Sequence, residues 1–152
     1  MEKKFFADAM LGTLARWMRT LGYDVLYDSG IDDAVLLLKA AQDGRVVLTR
    51  DTLLMKRRLS KGRAVFIESE TLSGQLKQVA ALFPIEKEKL LTRCLRCNAP
   101  LEHIDKQSVR EKVPPFVFST QNDFSSCQVC KRVYWGATHR KRMLEDLRKL
   151  LA

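Results

Sequence analysis

Four cysteines in two CxxC pairs, Cys94-Leu-Arg-Cys97 and Cys127-Gln-Val-Cys130, form the most chemically specific pattern in this sequence. Two residues between thiolates let one tight knuckle offer both sulfurs to one ion, and two knuckles complete a tetrahedral shell. Two disulfides or buried free thiols are the alternative. A reducing cytoplasm disfavours disulfides, and a thioredoxin-like CxxC does not come as a pair. The spacing therefore predicts one zinc ion held by Cys94, Cys97, Cys127 and Cys130. Four thiolates leave no open position for a water, so the zinc is read as structural and reaction chemistry has to be sought elsewhere.

The acidic residues supply that second set. Asp8, Asp51 and Glu68 each follow a short β-prone run, and Asp32-Asp33 opens an amphipathic stretch. Carboxylates converging beyond strand ends bind magnesium or manganese, which can activate a water and neutralise the charge of an attacked phosphodiester. The competing reading is local. Aspartate is a preferred helix N-cap, and Asp8, Asp32 and Asp51 each stand just before an expected helix; the two roles can coexist.

Lys and Arg number 27 against 18 Asp and Glu, a net charge of +9 with a pI near 9.6. Such an excess favours a polyanionic partner, because neutralised phosphates release condensed counterions. Arg16 and Arg19 lie on the polar side of the first expected helix, Arg50 precedes Asp51, and Lys56-Arg57-Arg58 with Lys61 and Arg63 follow it. Arg16, Arg50, Lys56, Arg57 and Arg58 are the candidate RNA contacts; a solvated helix face is the plainer account of the cluster. Trp17 and Trp135 suit base stacking, although core packing is the expectation for both. His103 and His139 show no ligand spacing and are read as ordinary polar residues.

The elements that must position these groups follow from periodicity. A chain of 152 residues with 46% hydrophobic and 30% charged residues can bury a real core. No run approaches the ~18 apolar residues of a membrane span, and the opening Met1–Lys4 stretch lacks a signal-peptide apolar region, so a cytoplasmic protein is expected. Up to about residue 85, short apolar runs alternate with amphipathic stretches, which predicts a parallel α/β sheet. Strands are expected at Phe5-Phe6-Ala7, Val25-Leu26-Tyr27, Val46-Val47-Leu48 and Ala64-Val65-Phe66-Ile67. Helices are expected over Leu11–Leu21, over Asp33–Asp43 with a stop at Gly44, after Asp51, and over Leu72–Phe83. Pro84 marks the exit, and the charged Glu86–Lys89 stretch the boundary between residues 1–88 and a C-terminal part, residues 89–152. There, Pro114-Pro115 with Phe116-Val-Phe118 reads as a turn and a strand, and Arg132-Val-Tyr-Trp135 as another strand. Met143, Leu144, Leu147, Leu150 and Leu151 recur at helical spacing in the tail, predicting an amphipathic helix.

In order along the chain, Phe6-Ala-Asp-Ala-Met-Leu-Gly12, Leu14-Ala-Arg-Trp17, Leu21-Gly-Tyr-Asp24, Gly44-Arg-Val-Val-Leu-Thr-Arg-Asp51, Arg93-Cys-Leu-Arg-Cys-Asn98, and Cys127–Cys130 running into Val133-Tyr-Trp-Gly136 resemble one family. It is the PIN-like RNase domain family named after the C-terminal region of the Mut-seven exonucleases. The resemblance implies a PIN-like parallel sheet flanked by helices, a fused zinc ribbon with a C-terminal helix, and an acidic site binding one or two magnesium or manganese ions that cleaves RNA. Asp8 resembles the acid after the first strand, and Asp51 the acid closing the Thr-x-Asp segment; the pattern favours Asp33 over Asp32. A further acid, expected between the first two helices, has no single match, and Asp24 or Asp28 could serve. The resulting expectation is a metal-dependent ribonuclease using Asp8, Asp33 and Asp51. Its rivals are a noncatalytic RNA-binding module, in which the acids are only caps, and a protein-interaction adaptor built on the ribbon.

Overall fold

The computed structural model describes residues 3–152 except the side chains of residues 137–139, so Met1, Glu2 and the side chain of His139 lie outside the described residues. Strands β1 (Lys4–Ala7), β2 (Asp24–Tyr27), β3 (Arg45–Thr49) and β4 (Ala64–Phe66) form one sheet in the order β2-β1-β3-β4. All three pairings are parallel, with Lys4 opposite both Asp24 and Arg45, and Thr49 opposite Phe66. Neighbouring residues point to opposite faces, and both faces are covered: Phe5 and Leu48 belong to one core, Phe6 and Val47 to the other. That is why these strands read as continuous apolar runs rather than alternating ones.

Helices α1 (Gly12–Thr20) and α4 (Leu72–Leu82) cover the Phe5 face through Leu14, Met18, Leu76 and Val79, all essentially inaccessible to solvent. Helices α2 (Asp33–Asp43) and α3 (Thr52–Met55) cover the other through Leu36, Leu37, Ala40 and Leu54. Each buried Leu, Phe or Met contributes about 1.5–3 kcal/mol, and truncating a central one such as Phe5 to alanine costs about 3–5 kcal/mol.

Helix α2 has the limits its pattern implies. The Asp32 carboxylate accepts from the Ala34 N–H (3.1 Å), and Gly44 ends the helix at φ 64°, a left-handed conformation that glycine adopts without Cβ strain. Gly22 meets a different requirement. A Cβ there would overlap the Lys89 carbonyl, so glycine lets the exit segment lie against the end of α1.

The second sheet is antiparallel, in the order β5 (Leu101–Ile104), β6 (Phe124–Cys127), β7 (Val133–Trp135). The expectation for Phe116–Phe118 is corrected here: these residues lie in helix α5 (Pro115–Thr120). Pro115 occupies the first turn, where its fixed φ suits a helix and its missing N–H costs nothing. Val117 and Phe118 face the small core of Val109, Val113 and Phe124, while Phe116 is exposed. The strand beside β7 is instead β6, flanked in turn by β5, and neither β5 nor β6 is expected from the sequence. The amphipathic tail is helix α6 (Ala137–Leu151); it packs on α4, with Leu147 buried in the Phe5 core and Leu144, Leu150 and Leu151 against it. Trp17 packs against that same core and Trp135 against the smaller one.

Candidate functional site

Parallel pairing brings the carboxyl ends of β1, β3 and β4 to one edge. Asp8 follows β1, and its N–H donates to the Leu48 carbonyl of β3 (2.9 Å). Its side chain is 5% exposed and makes no helix-cap hydrogen bond. Instead the fully buried Thr49 hydroxyl donates to Asp8 Oδ2 (2.8 Å) and accepts from the Asp51 N–H (2.9 Å). Thr49 thus joins two acids from separate strands. The reading of the acids passed over it as a site residue; the Thr-x-Asp spacing was its signal.

Asp51 does cap a helix, Oδ1 accepting from the N–H groups of Leu53 (2.8 Å) and Leu54 (3.4 Å). Asp33 lies in the first turn of α2 beside the capping Asp32. Burial raises the Asp33 carboxyl above its ordinary pKa, and the negative charges of Asp8 and Asp51 raise it further, against an opposing pull from Arg57. Asp8, Asp33 and Asp51 therefore share one electrostatic field. Among the described residues only the four cysteines bring three or more ligand atoms within 4.8 Å of one another; Asp8, Asp33 and Asp51 do not.

The other acids fall elsewhere. Asp24 begins β2 at the opposite edge of the sheet, where Oδ1 accepts from Arg45 (2.7 Å) and from Asn98 Nδ2 (2.6 Å). Burial pushes its carboxyl up, but the hydrogen bonds from Arg45 and Asn98 and the charges of Arg45 and Arg93 hold it below the ordinary range. Asp28 is exposed and accepts from the Gly30 N–H (3.0 Å) within a turn. Glu68 is exposed just past β4, its N–H donating to Gln78 Oε1 (2.9 Å). Arg50 donates to the carbonyls of Ile67, Glu68 and Ser69 (2.7, 2.7 and 2.8 Å), tying the segment after β3 to the segment after β4. Arg16, Lys56, Arg57 and Arg58 are exposed.

In the cysteine cluster, the Sγ atoms of Cys94 and Cys130 lie 3.8 Å apart. A zinc with ~2.3 Å bonds in a tetrahedron separates its sulfurs by about 3.8 Å, so the cluster has the spacing of a metal such as zinc. Asn98 and Lys131, each just after the second cysteine of a knuckle, have left-handed backbone (φ 67° and 63°), and each N–H donates to the carbonyl of the first cysteine (2.8 Å). The turn aims N–H groups at sulfur, Cys97 N to Cys94 Sγ (3.4 Å) and Cys130 N to Cys127 Sγ (3.5 Å). The Tyr134 hydroxyl lies 3.0 Å from Cys94 Sγ. Burial pushes the Cys94 thiol up, but these hydrogen bonds outweigh it and favour the thiolate.

The first knuckle is anchored to the main sheet by buried polar groups. Asn98 Oδ1 accepts from the Val25 N–H (2.9 Å), and Arg19 donates to the carbonyls of Val25 and Leu95 (both 2.9 Å). The cysteine cluster therefore sits at the amino edge of the sheet and the acids at the carboxyl edge.

No curated protein and no solved structure matches the chain. A family model described as the Mut7-C RNAse domain matches residues 3–147. With nearly the whole chain matched, and with the parallel sheet, the cysteine cluster and the final helix in place, this protein belongs to the Mut7-C RNAse domain family.

Proposed function

We propose that this protein is a metal-dependent ribonuclease whose divalent ion is held by Asp8, Asp33 and Asp51. One observation carries the reading. Asp8, buried and unused as a helix cap, is held by Thr49 in the same field as Asp33 and Asp51. A carboxyl raised by burial and by two neighbouring negative charges is one that a cation would stabilise, and an all-oxygen donor set fits magnesium or manganese.

When bound, such an ion supplies charge neutralisation at the phosphodiester and a water of lowered pKa. The protein groups do the rest. Thr49 fixes the direction of the Asp8 carboxylate, and the α3 N-terminus fixes Asp51. Arg57 offsets part of the repulsion that Asp8 and Asp51 exert on Asp33. Exposed Lys56, Arg57 and Arg58 attract RNA phosphates, while Arg50 holds the β3 and β4 loops together. No serine, cysteine or histidine takes the place of a covalent nucleophile in this reading. The four cysteines hold zinc in a structural role within a C-terminal unit of residues 89–152, which requires a reducing compartment such as the cytoplasm for its thiols.

The test is manganese-dependent cleavage of single-stranded RNA by the wild type and by Asp51→Asn. Asparagine caps helices as well as aspartate does, so α3 survives while the charge is removed. The variant is expected to lose at least about a hundredfold in rate, of the order that positioned groups contribute. Equal rates sink the assignment. RNA binding that survives chelation with no cleavage by the wild type identifies a noncatalytic RNA-binding module instead.

A further inference from the structure

A cleft of about 580 Å³ opens between the three-stranded sheet, the segment leaving the main sheet, and the start of α6. Its size is that of sites taking small organic ligands. Its floor is one cross-strand row, in which His103 pairs with Ser125 and Ser125 with Tyr134. The Tyr134 hydroxyl is occupied by Cys94 Sγ and the Leu95 N–H (3.2 Å), which anchors its ring in that floor.

The chemistry of the lining falls into three groups. Tyr134 offers aromatic surface; Trp135, the next residue of β7, also lines the cleft but packs against the smaller core. Arg93 and Arg140 offer positive charge: Arg93 is fixed by its bonds to the carbonyls of Gly22 (3.3 Å) and Asn98 (2.7 Å), whereas Arg140 is exposed and forms no ion pair among the described residues. The consecutive Gln121, Asn122 and Asp123 offer amide and carboxylate groups that can donate to and accept from a base edge. Aromatic rings, cationic side chains and a run of edge-reading polar groups together describe a receptor for an unpaired nucleotide. The net charge of +9 acts in the same direction.

We propose that this cleft is a second RNA site, binding an unpaired nucleotide of a single-stranded segment away from the acids; that the ligand is RNA rests on the ribonuclease reading above. Arg140 contacts a phosphate, with the fixed charge of Arg93 behind it, the ring stacks against Tyr134, and Gln121 to Asp123 face the base edge. The site is separate from the acidic edge. Arg93 lies 4.0 Å from Asp24, level with Lys4 at the start of β1, while Asp8 follows the other end of that strand. Four strand residues span about 13 Å. An RNA that occupies both must run along the sheet, so the cleft would favour substrates long enough to do so.

The chain has two tryptophans. Full-length, zinc-loaded protein carrying Trp17→Phe and Asp51→Asn leaves Trp135 as the sole indole reporter and removes cleavage; it is titrated without added magnesium or manganese with a short single-stranded oligoribonucleotide. A saturable change in Trp135 emission is expected. Arg140→Glu, at an exposed position, should weaken it about tenfold or more and reduce the salt slope of binding by about 1. A blunt RNA duplex should compete poorly. No Trp135 response, equal affinity in Arg140→Glu, or a preference for an acidic peptide over RNA overturns the site. The two readings fail separately. Cleavage by the wild type without any Trp135 response sinks the cleft alone; a Trp135 response in a protein whose wild type cuts no RNA with manganese sinks the nuclease alone.

Discussion

Replacing Asp24 by alanine removes the acceptor at the centre of the joint between the main sheet and the first cysteine knuckle. Arg45 and Asn98 both donate to Asp24 Oδ1, at 2.7 and 2.6 Å, and Arg93 lies 4.0 Å from Oδ2. The Arg45 side chain is 9% exposed and that of Asp24 21%, so solvent replaces little of what is lost. Orphaning a buried charge outright costs about 3–5 kcal/mol. Arg45 keeps Asp43 (2.5 Å) and the Phe5 carbonyl (3.1 Å), which places the expected loss nearer about 2–3 kcal/mol. For a chain of this size that lowers Tm by roughly 5–10 °C. Because the folded-state pKa of Asp24 is depressed, its stabilisation is present above the unfolded pKa of about 3.9 and disappears as pH falls through the folded value. Urea unfolding of wild type and Asp24→Ala should therefore differ at neutral pH and converge in acid. The folded variant should still cleave RNA, since Asp24 stands at the edge opposite Asp8. Equal stability at neutral pH refutes the joint, and a folded but inactive variant refutes the assignment of Asp24 to structure rather than chemistry.

Asp33 runs with the opposite sign. Its carboxyl is raised in the fold, so its charged form opposes folding, and stability falls as pH climbs from the unfolded value through the folded one. Asp33→Asn should melt higher than wild type at neutral pH without divalent ions, and only the wild type should gain stability when manganese is added, by about 2.7 kcal/mol at a hundred times Kd; calorimetry with and without manganese checks both. Thr49→Val should leave Asp8 Oδ2 and the Asp51 N–H without their buried partner, costing about 1–3 kcal/mol and raising the manganese concentration needed for half-maximal cleavage. Elemental analysis should find one zinc per chain, and stripping it should alter Trp135 fluorescence and proteolysis of the C-terminal part before the main sheet unfolds; retained proteolytic resistance without metal counts against a structural zinc.

Local patterns decided much of this protein. Helix α2 begins at Asp33 and stops at Gly44 because a cap and a left-handed glycine act within a few residues of the backbone they satisfy. The apolar runs of β1 and β3 announced strands buried on both faces, and CxxC spacing announced the knuckles, because two residues between thiols are enough to build one. Other features depended on partners distant in sequence. Phe116–Phe118 looked β-prone, yet two prolines and the facing Val109 and Val113 made it helical. Asp8, Asp24 and Asp51 were equivalent as letters. Strand pairing put Asp8 against Thr49, 41 residues away, while Arg45, reaching across the intervening β1, and the knuckle residue Asn98 meet Asp24 from 21 and 74 residues away. A side chain's charge environment is set by what folds against it, so residue type and spacing named the acids, and tertiary packing decided which cap a helix, which locks the knuckle, and which is buried against a threonine hydroxyl.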